Sequence, residues 1–535
     1  MTKSIQTLLD DNTLLQQLLL KQQVLLESKN SELEAKDNKI LELNQSYQIL
    51  LEQFRLAQHH RFGRSSEVSQ NQGELFNEAE VLADVEDDVL DTDTTPESEA
   101  TPPKTKEKPK RKPLPKHLPR TRVVHDIDED KKQCDCCGQQ LEQMGEDISE
   151  KLEFIPATIR VIEHARLKYS CQHCEKHGTQ ANIKQAAVPS SPIPKGYATP
   201  SLLSQIITSK YQYALPLYRQ ETIFKQHGIE ISRRTMSDWM MKCGALFKPL
   251  YQLLREIMLS QPVIQADETT VKVINDERAK SYIWVYCSGV DSPTLNNIAF
   301  KGMPIMRNIV LFDYQNGSRS GTCPVTFLGD FQGYLQTDGY AAYQQVNAEL
   351  IGCWAHARRK FIDAQTAQGK TKVGKVNIAI NFIQKLYAIE KTIATLSVDE
   401  KLKQRQAKSE PILIDFKAWL DKSALQVSSK GKLGIAIKYN LNQWSKLKRY
   451  TESGLLNIDN NRAERAVKPF VIGRKNWLFN VNHKGAETSA MLYSIIETAK
   501  ANGLIPFDYI NHCLEELSKS PTELDRLLPW NVKLG

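Results

Sequence analysis

A chain of 535 residues with a formal charge of +7 and ordinary shares of apolar and charged residues exceeds what one hydrophobic core usually serves, so several domains are expected. The mild basicity hides a segregation: Glu78 to Glu99 carries no Lys or Arg, whereas Lys104 to Arg122 is dominated by Lys, Arg and Pro. The leucines at the start are interrupted by Asp, Asn and Gln, and no run of about eighteen uncharged apolar residues occurs, so neither a secretory leader nor a membrane span is expected. A cytoplasmic, nucleoid-associated protein follows from that reading.

From the start to about residue 58 apolar residues share one position of a seven-residue repeat, at Ile5, Leu19, Leu26, Leu33, Ile40, Tyr47 and Phe54. This is the pattern of a coiled-coil helix, and it predicts a homo-oligomer joined through that helix. The position three residues on holds Leu8, Leu15, Leu43 and Leu50 but also Gln22, Lys29 and Lys36, which weakens the seam and leaves open a helix that folds back on its own protein. Residues 59–118 read as an acidic and then basic linker that cannot bury enough apolar area to order itself.

Residues 119–185 hold five of the ten cysteines, Cys134, Cys136, Cys137, Cys171 and Cys174. Two C-x-x-C pairs suit a structural Zn²⁺ held by Cys134, Cys137, Cys171 and Cys174, because two-residue spacing lets a tight turn aim both sulfurs at one ion. Cys136 is then spare, and His173 and His177 are surface residues. Residues 195–255 read as helix, turn, helix: Gly228 ends one helix, Ser232 caps the next, and Arg233, Arg234 and Thr235 on its first turn are placed to meet DNA.

The most informative stretch begins at 258. PVIQADETTVKVI reads as a strand carrying Asp267; SYIWVYCSG and NIVLFDY read as two more strands in an antiparallel meander; a helical stretch around Val325 to Asp330 follows. GYLQTDGYAAY then puts Asp338 at a strand tip before Gly339, and LIGCWAHARRKF reads as a fifth strand entering a helix. Residues 358–455 look like a helical insertion. The pattern resumes at NIDNNRAERAVKPFVIGRKNWLF, where Asp459, Asn460 or Asn461 caps a helix with Glu464 in its first turns and Pro469 closing it. This order, over 258–357 and 456–500, is that of a ribonuclease-H-like α/β catalytic domain inside a multidomain α+β chain, with 501–535 as a C-terminal helical tail.

Three clustered carboxylates repel one another unless cations lie between them, and two Mg²⁺ (or Mn²⁺) ions suit such hard oxygen ligands. A pair of ions held by Asp267, Asp338 and Glu464 can serve in-line phosphoryl transfer, with Arg465, Lys468, Arg474 and Lys475 holding double-stranded DNA. Period-two alternation turns Glu268 to the other face of its strand, and Asp459 lies off the face of Glu464, so both are left out of the site. His356 is placed to orient a phosphate or a water, with ordinary packing the competing reading. Trp477 and Phe479 read as core rather than as platforms for an unpaired base.

The strings ADETTVKV, TDGYAAY, GCWAHARRKF and DNNRAERAVKPFVIGRKNWLF, with the zipper-like start, the C-x-x-C pairs and the helix-turn-helix segment, resemble transposases of the insertion sequence 66 type. The resemblance covers most of the chain and implies a DDE catalytic domain whose triad falls on Asp267, Asp338 and Glu464. It further implies action on the terminal inverted repeats of the protein's own element and a need for accessory proteins encoded beside it. Three alternatives remain at this level: a ribonuclease-H-like structure-specific nuclease without strand transfer, a regulator with decayed acids, and a tyrosine recombinase using Tyr340 or Tyr343.

Overall fold

The computed structural model describes residues 2–62, 122, 159–169, 184–278, 280–290, 306–368 and 374–534, with side chains of the first helix from 18 to 58. The chain divides into two units, residues 1–92 with 189–535, and residues 93–188. In the second unit the described residues form a short antiparallel pair, β1 (Lys168–Tyr169) and β2 (Lys184–Gln185), in register Lys168 to Gln185. All five clustered cysteines lie outside the described residues.

The larger unit begins with α1 (Thr2–Phe62), one helix of 61 residues. Its heptad side chains stand in solvent: Leu19, Leu26, Leu33, Ile40, Tyr47 and Phe54 are each more than half exposed. Only its last turns meet the rest of the unit, where Glu52 accepts the Lys432 amide at 3.0 Å and Arg55 reaches the Ala367 carbonyl at 3.4 Å. Among the described residues, the helix therefore docks by its end and its seam from Leu19 to Phe54 stays exposed.

Three helices follow, α2 (Pro200–Tyr211), α3 (Leu217–Gln226) and α4 (Arg233–Leu259). The first helical stretch expected from the sequence is thus split in two. Pro216 forces an extended backbone before α3, and Ala214 sits at φ 54° in the connection. Gly228 at φ 73° closes the turn after α3, and the Ser232 hydroxyl caps α4 by accepting the Thr235 amide at 3.1 Å. Helix α4 runs 27 residues, through Pro249, because Met236, Met240, Phe247, Leu250, Leu254 and Met258 keep one face in the core.

That face packs on a five-stranded sheet of order β5-β4-β3-β6-β7, built from β3 (Val263–Val271), β4 (Ser281–Ser288), β5 (Ile309–Asp313), β6 (Tyr334–Gln336) and β7 (Glu349–Ile351). Strands β3, β4 and β5 form an antiparallel meander, while β6 and β7 add in parallel on the other side of β3. A short helix, α5 (Thr322–Leu328), makes the crossover from β5 to β6. The free edge of β5 is covered by α12 (His483–Ala501): Ser494 and Thr498 hydroxyls take the Phe312 and Val310 amides at 2.8 and 3.1 Å, which closes an edge that would otherwise recruit another strand. Helix α13 (Pro506–Leu517) buries Tyr509, Ile510, Cys513 and Leu514 in the same core, so the segment expected as a tail is packed structure.

A second apolar cluster lies beyond β7. Helices α6 (Trp354–Gln368), α7 (Lys375–Ile393), α8 (Val398–Gln404), α9 (Glu410–Ala424) and α10 (Lys432–Lys448) pack Trp354, Phe361, Ile383, Leu386, Ile437 and Tyr450 around Phe416. Val263 and Ile351 of the sheet belong to that cluster. The helical region is fused to the sheet through side chains of β3 and β7. The chain then returns as α11 (Asn461–Trp477). Pro469 lies inside α11 and does not end it, contrary to the sequence reading. Its missing N–H forfeits one intrahelical bond, but Phe470 is fully buried one residue later and Arg474 fastens the next turn to β3, so tertiary contacts carry the helix past it.

Candidate functional site

Register decides which side chains of β3 and β6 share a face. The parallel ladder pairs Val263 with Tyr334, Ile264 with Leu335 and Gln265 with Gln336. Gln265 Nε2 donates to Gln336 Oε1 at 2.7 Å, so those two side chains point the same way. Two residues further on stand Asp267, still inside β3 and turned to that same face by period-two alternation, and Asp338, just past the end of β6. Gly339, at φ 92°, lets the chain leave β6 directly behind Asp338, and Tyr340 N closes the turn on Asp338 Oδ1 at 2.9 Å.

Helix α11 lies against this face and is pinned at both ends. At its start, Asn460 Nδ2 donates to the Ala266 carbonyl at 2.8 Å, Gln265 to the Asp459 carbonyl at 3.3 Å and Gln336 to the Asn457 carbonyl at 2.7 Å. Further along, Arg474 Nη1 donates to Thr269 Oγ1 at 2.9 Å, to Thr270 Oγ1 at 2.8 Å and to the Thr270 carbonyl. Gln265 and Thr269 thus both face the helix, and Asp267 lies between them on the same side of the strand. Glu464, in the first turn of α11, is 7 % exposed. The Asp267 carboxyl is raised well above its ordinary range by burial first, then by the charges of Glu268, Asp338 and Glu464, against one backbone hydrogen bond from Glu268 N. Asp267 therefore senses both other acids across the sheet and helix; the three offer oxygen donors only, though among the described residues their oxygens do not all lie within 4.8 Å of one another. That donor set fits a hard divalent cation, whose charge relieves the repulsion.

Glu268 turns to the other face, where its carboxylate takes Arg319 at 2.6 Å and the Tyr343 hydroxyl at 3.2 Å. Tyr343 is fully buried and its hydroxyl is raised well above the ordinary phenol range by burial, while Tyr340 donates to the Arg319 carbonyl, so neither tyrosine is presented as a nucleophile. Asp459 also has a structural partner set. Its Oδ2 accepts the Tyr387 hydroxyl at 3.0 Å and Asn461 Nδ2 at 2.9 Å, and its Oδ1 accepts Asn461 N at 3.2 Å. Tyr387 belongs to α7, so Asp459 ties the helical region to the start of the helix that carries Glu464. On the opposite flank, Tyr439 of α10 donates to the Asp338 carbonyl at 2.8 Å. The inserted helices grip two of the three acid-bearing segments.

Helix α6 starts beside α11. Trp354 N donates to the Ile458 carbonyl at 3.2 Å and Asn460 N to Cys353 Sγ at 3.2 Å. His356 Nδ1 then stands 3.4 Å from Glu464 Oε1, and Arg359 Nη2 stands 3.8 Å from Glu464 Oε2. Burial and Arg359 push the His356 ring down to about 4, against the pull of Asp338, which leaves it neutral near pH 7. Cys353, His356 and Glu464 bring one ligand atom each within 4.8 Å. Hydrogen-bond direction argues against a cation there. Arg359 Nη1 lies 3.3 Å from His356 Nε2 and can only donate, so the ring proton sits on Nδ1, and the Cys353 sulfur already accepts an amide while burial drives its thiol far up. The spacing Cys353, His356, Arg359 places all three on one helical face, a signal the sequence offered and the sequence reading did not use.

Of the side chains expected at DNA, Arg233, Arg234 and Lys475 are exposed, Thr235 and Lys468 are half-buried, and Arg465 is half-buried. Thr235 Oγ1 is within 2.9 Å of the capping Ser232 hydroxyl. Arg474 is different: half-buried, with its Nη1 on Thr269 and Thr270, it clamps α11 to β3. Trp477 packs edge-on against Phe470 at 5.6 Å, as core, whereas Phe479 is 42 % exposed, not the core residue that was expected.

A sheet that carries one acid in the middle of β3 and a second just past the end of β6, facing a pinned helix with a third acid, forms a candidate carboxylate site. Residues 195–488 match the family described as Transposase IS66 family, residues 131–175 the zinc-finger binding domain of transposase IS66, residues 49–123 the family described as Transposase C of IS166 homeodomain, and residues 494–530 the IS66 C-terminal element. The chain belongs to the IS66 transposase family. It is 33 % identical over 430 residues to the uncharacterized protein y4jD of Sinorhizobium fredii, covering 78 % of this chain and 81 % of that one. It is 32 % identical to y4qI of the same organism, covering 77 % and 76 %. The zinc-finger match spans all five clustered cysteines and supports a structural zinc. Among the described residues, no helix is long and apolar enough to cross a membrane.

Proposed function

We propose that this protein is a DDE transposase that binds the terminal inverted repeats of its own element and cuts and joins DNA strands at Asp267, Asp338 and Glu464. The observation that supports the reading is the Gln265 to Gln336 rung, which sets Asp267 and Asp338 each two residues beyond a paired glutamine, beside the helix bearing Glu464. The strand order, an antiparallel meander with two parallel strands added beside its first member, supports a ribonuclease-H-like domain interrupted by helices. When bound, two Mg²⁺ or Mn²⁺ ions activate a water or a 3′-hydroxyl and offset the charge of the phosphate. The chain's own part is to hold three carboxylates at fixed spacing, through the ladder and the pinned α11, and to bring Arg465, Lys468 and Lys475 along the same helix to the strand being cut. Arg233 and Arg234, on the capped first turn of α4, are the proposed contacts to the element end.

The same proposal assigns the zinc to Cys134, Cys137, Cys171 and Cys174, joins copies of the chain through α1, and puts the protein in the cytoplasm with DNA as its partner and element-encoded accessory proteins beside it. Labelled element ends incubated with Mg²⁺ and purified protein test the chemistry. Asp267→Asn, Asp338→Asn and Glu464→Gln should each abolish cleavage and joining while end binding persists. Joining that survives in any one variant removes that residue from the triad, and cleavage without joining in the wild type would make the protein a nuclease.

A further inference from the structure

The geometry points to His356 as a positioning residue for Glu464, with its Nδ1 facing Glu464 Oε1 across 3.4 Å and its Nε2 held by Arg359. This inference rests on the reading of Glu464 as a metal-binding carboxylate. The direction of each bond follows from the donors. A guanidinium has no acceptor, so the Arg359 Nη1 contact of 3.3 Å makes Nε2 the ring's acceptor and Nδ1 its N–H. Nδ1 and Glu464 Oε1 are both buried and stand 3.4 Å apart without a hydrogen bond between them, so a small turn of the ring or the carboxylate seats the N–H on that oxygen. Arg359 Nη2 approaches the other oxygen at 3.8 Å. A carboxylate at the start of a helix can rotate about its side-chain bonds. An N–H seated on Oε1 fixes its plane, which is how outer partners tune a metal ligand.

The backbone supports the same role. His356 sits one turn into α6, and α6 is locked to the start of α11 by the Trp354 to Ile458 and Asn460 to Cys353 bonds, so the distance between His356 and Glu464 is set by two rigid ends and not by a loop. His356 touches neither aspartate by any bond, so it is not a ligand in this arrangement.

Asparagine and glutamine separate the two ring nitrogens. His356→Asn keeps a donor where Nδ1 stands, whereas His356→Gln carries its amide out to the Nε2 position. The full-length, zinc-loaded protein is titrated with Mn²⁺, free ion being followed by electron paramagnetic resonance, and circular dichroism melting checks the fold of each variant. His356→Gln should weaken Mn²⁺ binding about tenfold or more, His356→Asn should stay close to the wild type, and half-maximal cleavage should need correspondingly more Mn²⁺ in His356→Gln alone. Equal Mn²⁺ affinity in the two variants overturns the inference, whether both match the wild type or both are weakened. If His356→Gln fails to fold, Arg359→Ala serves instead. It releases Nε2, lets the ring reverse its tautomer and should weaken Mn²⁺ binding several-fold, and unchanged binding there is equally fatal. Glu464→Gln is the control: if it binds Mn²⁺ as the wild type does, the triad reading itself fails, whereas a weak Glu464→Gln beside a normal His356→Gln sinks only the positioning role.

Discussion

Replacing Tyr387 with phenylalanine removes one oxygen atom from the joint between the inserted helices and the helix that carries Glu464. Tyr387 is 5 % exposed and donates to Asp459 Oδ2 at 3.0 Å, while Asp459 keeps two further donors from Asn461 at 2.9 and 3.2 Å. A hydrogen bond to a carboxylate contributes about 1.5–3 kcal/mol. Because Asp459 stays partly satisfied, the loss in Tyr387→Phe should lie near the lower end, about 1.5 kcal/mol, which is roughly tenfold in the equilibrium for opening the joint. The amides nearest the joint, Ala463 and Glu464, donate to the Asn460 carbonyl at 3.1 and 3.3 Å, so their protection reports its closure. Hydrogen–deuterium exchange of a peptide from Asn457 to Val467 should speed up by about tenfold, and single-turnover cleavage at saturating Mg²⁺ should slow by no more than the same factor. Exchange at those amides that matches the wild type would refute the claim that the insertion braces the third acid. A variant of Tyr439, whose hydroxyl holds the Asp338 carbonyl, would not stand in for it, because that contact braces a different acid.

Two further outcomes follow from the same geometry. Asp267 holds its proton more tightly in the folded protein than its ordinary value of 3.8, so the folded state binds more protons than the unfolded chain above that pH, and stability falls as pH rises from about 3.8 toward the raised value. In Mg²⁺-free buffer near pH 7, Asp267→Asn should therefore melt at a higher temperature than the wild type, and Mg²⁺ should narrow the gap by stabilising only the wild type; a lower melting temperature for the variant without metal contradicts this account. For α1, Leu26→Asp combined with Leu33→Asp alters two side chains that are 62 % and 57 % exposed within the chain, so the core should stay folded. At about 1.5–3 kcal/mol per seam leucine, self-association through that helix should weaken by roughly a hundredfold or more, read by light scattering, and an unchanged oligomeric mass would show that the seam joins nothing.

Local pattern carried far in this chain. Apolar, strand-like runs marked β3, β4 and β5, the Thr-Asp-Gly turn marked the end of β6, and heptad leucines marked α1, because each depends on neighbours within a few residues. The two strand-borne aspartates and the helical glutamate could be ordered along the chain for the same reason. Pro469 was misjudged where packing overrode local preference: a proline ends a helix in isolation, but a buried Phe470 and an Arg474 clamp hold α11 together beyond it.

What the sequence determined by itself was which residues carry charge, which strands alternate and where the cysteines pair, since these are properties of spacing. What only the tertiary structure decided was who faces whom. The Gln265 to Gln336 rung, the tie from Tyr387 to Asp459, the approach of His356 to Glu464 and the diversion of Arg474 to β3 join positions from 71 to 205 residues apart, and no local periodicity encodes a contact that exists only once both partners are folded.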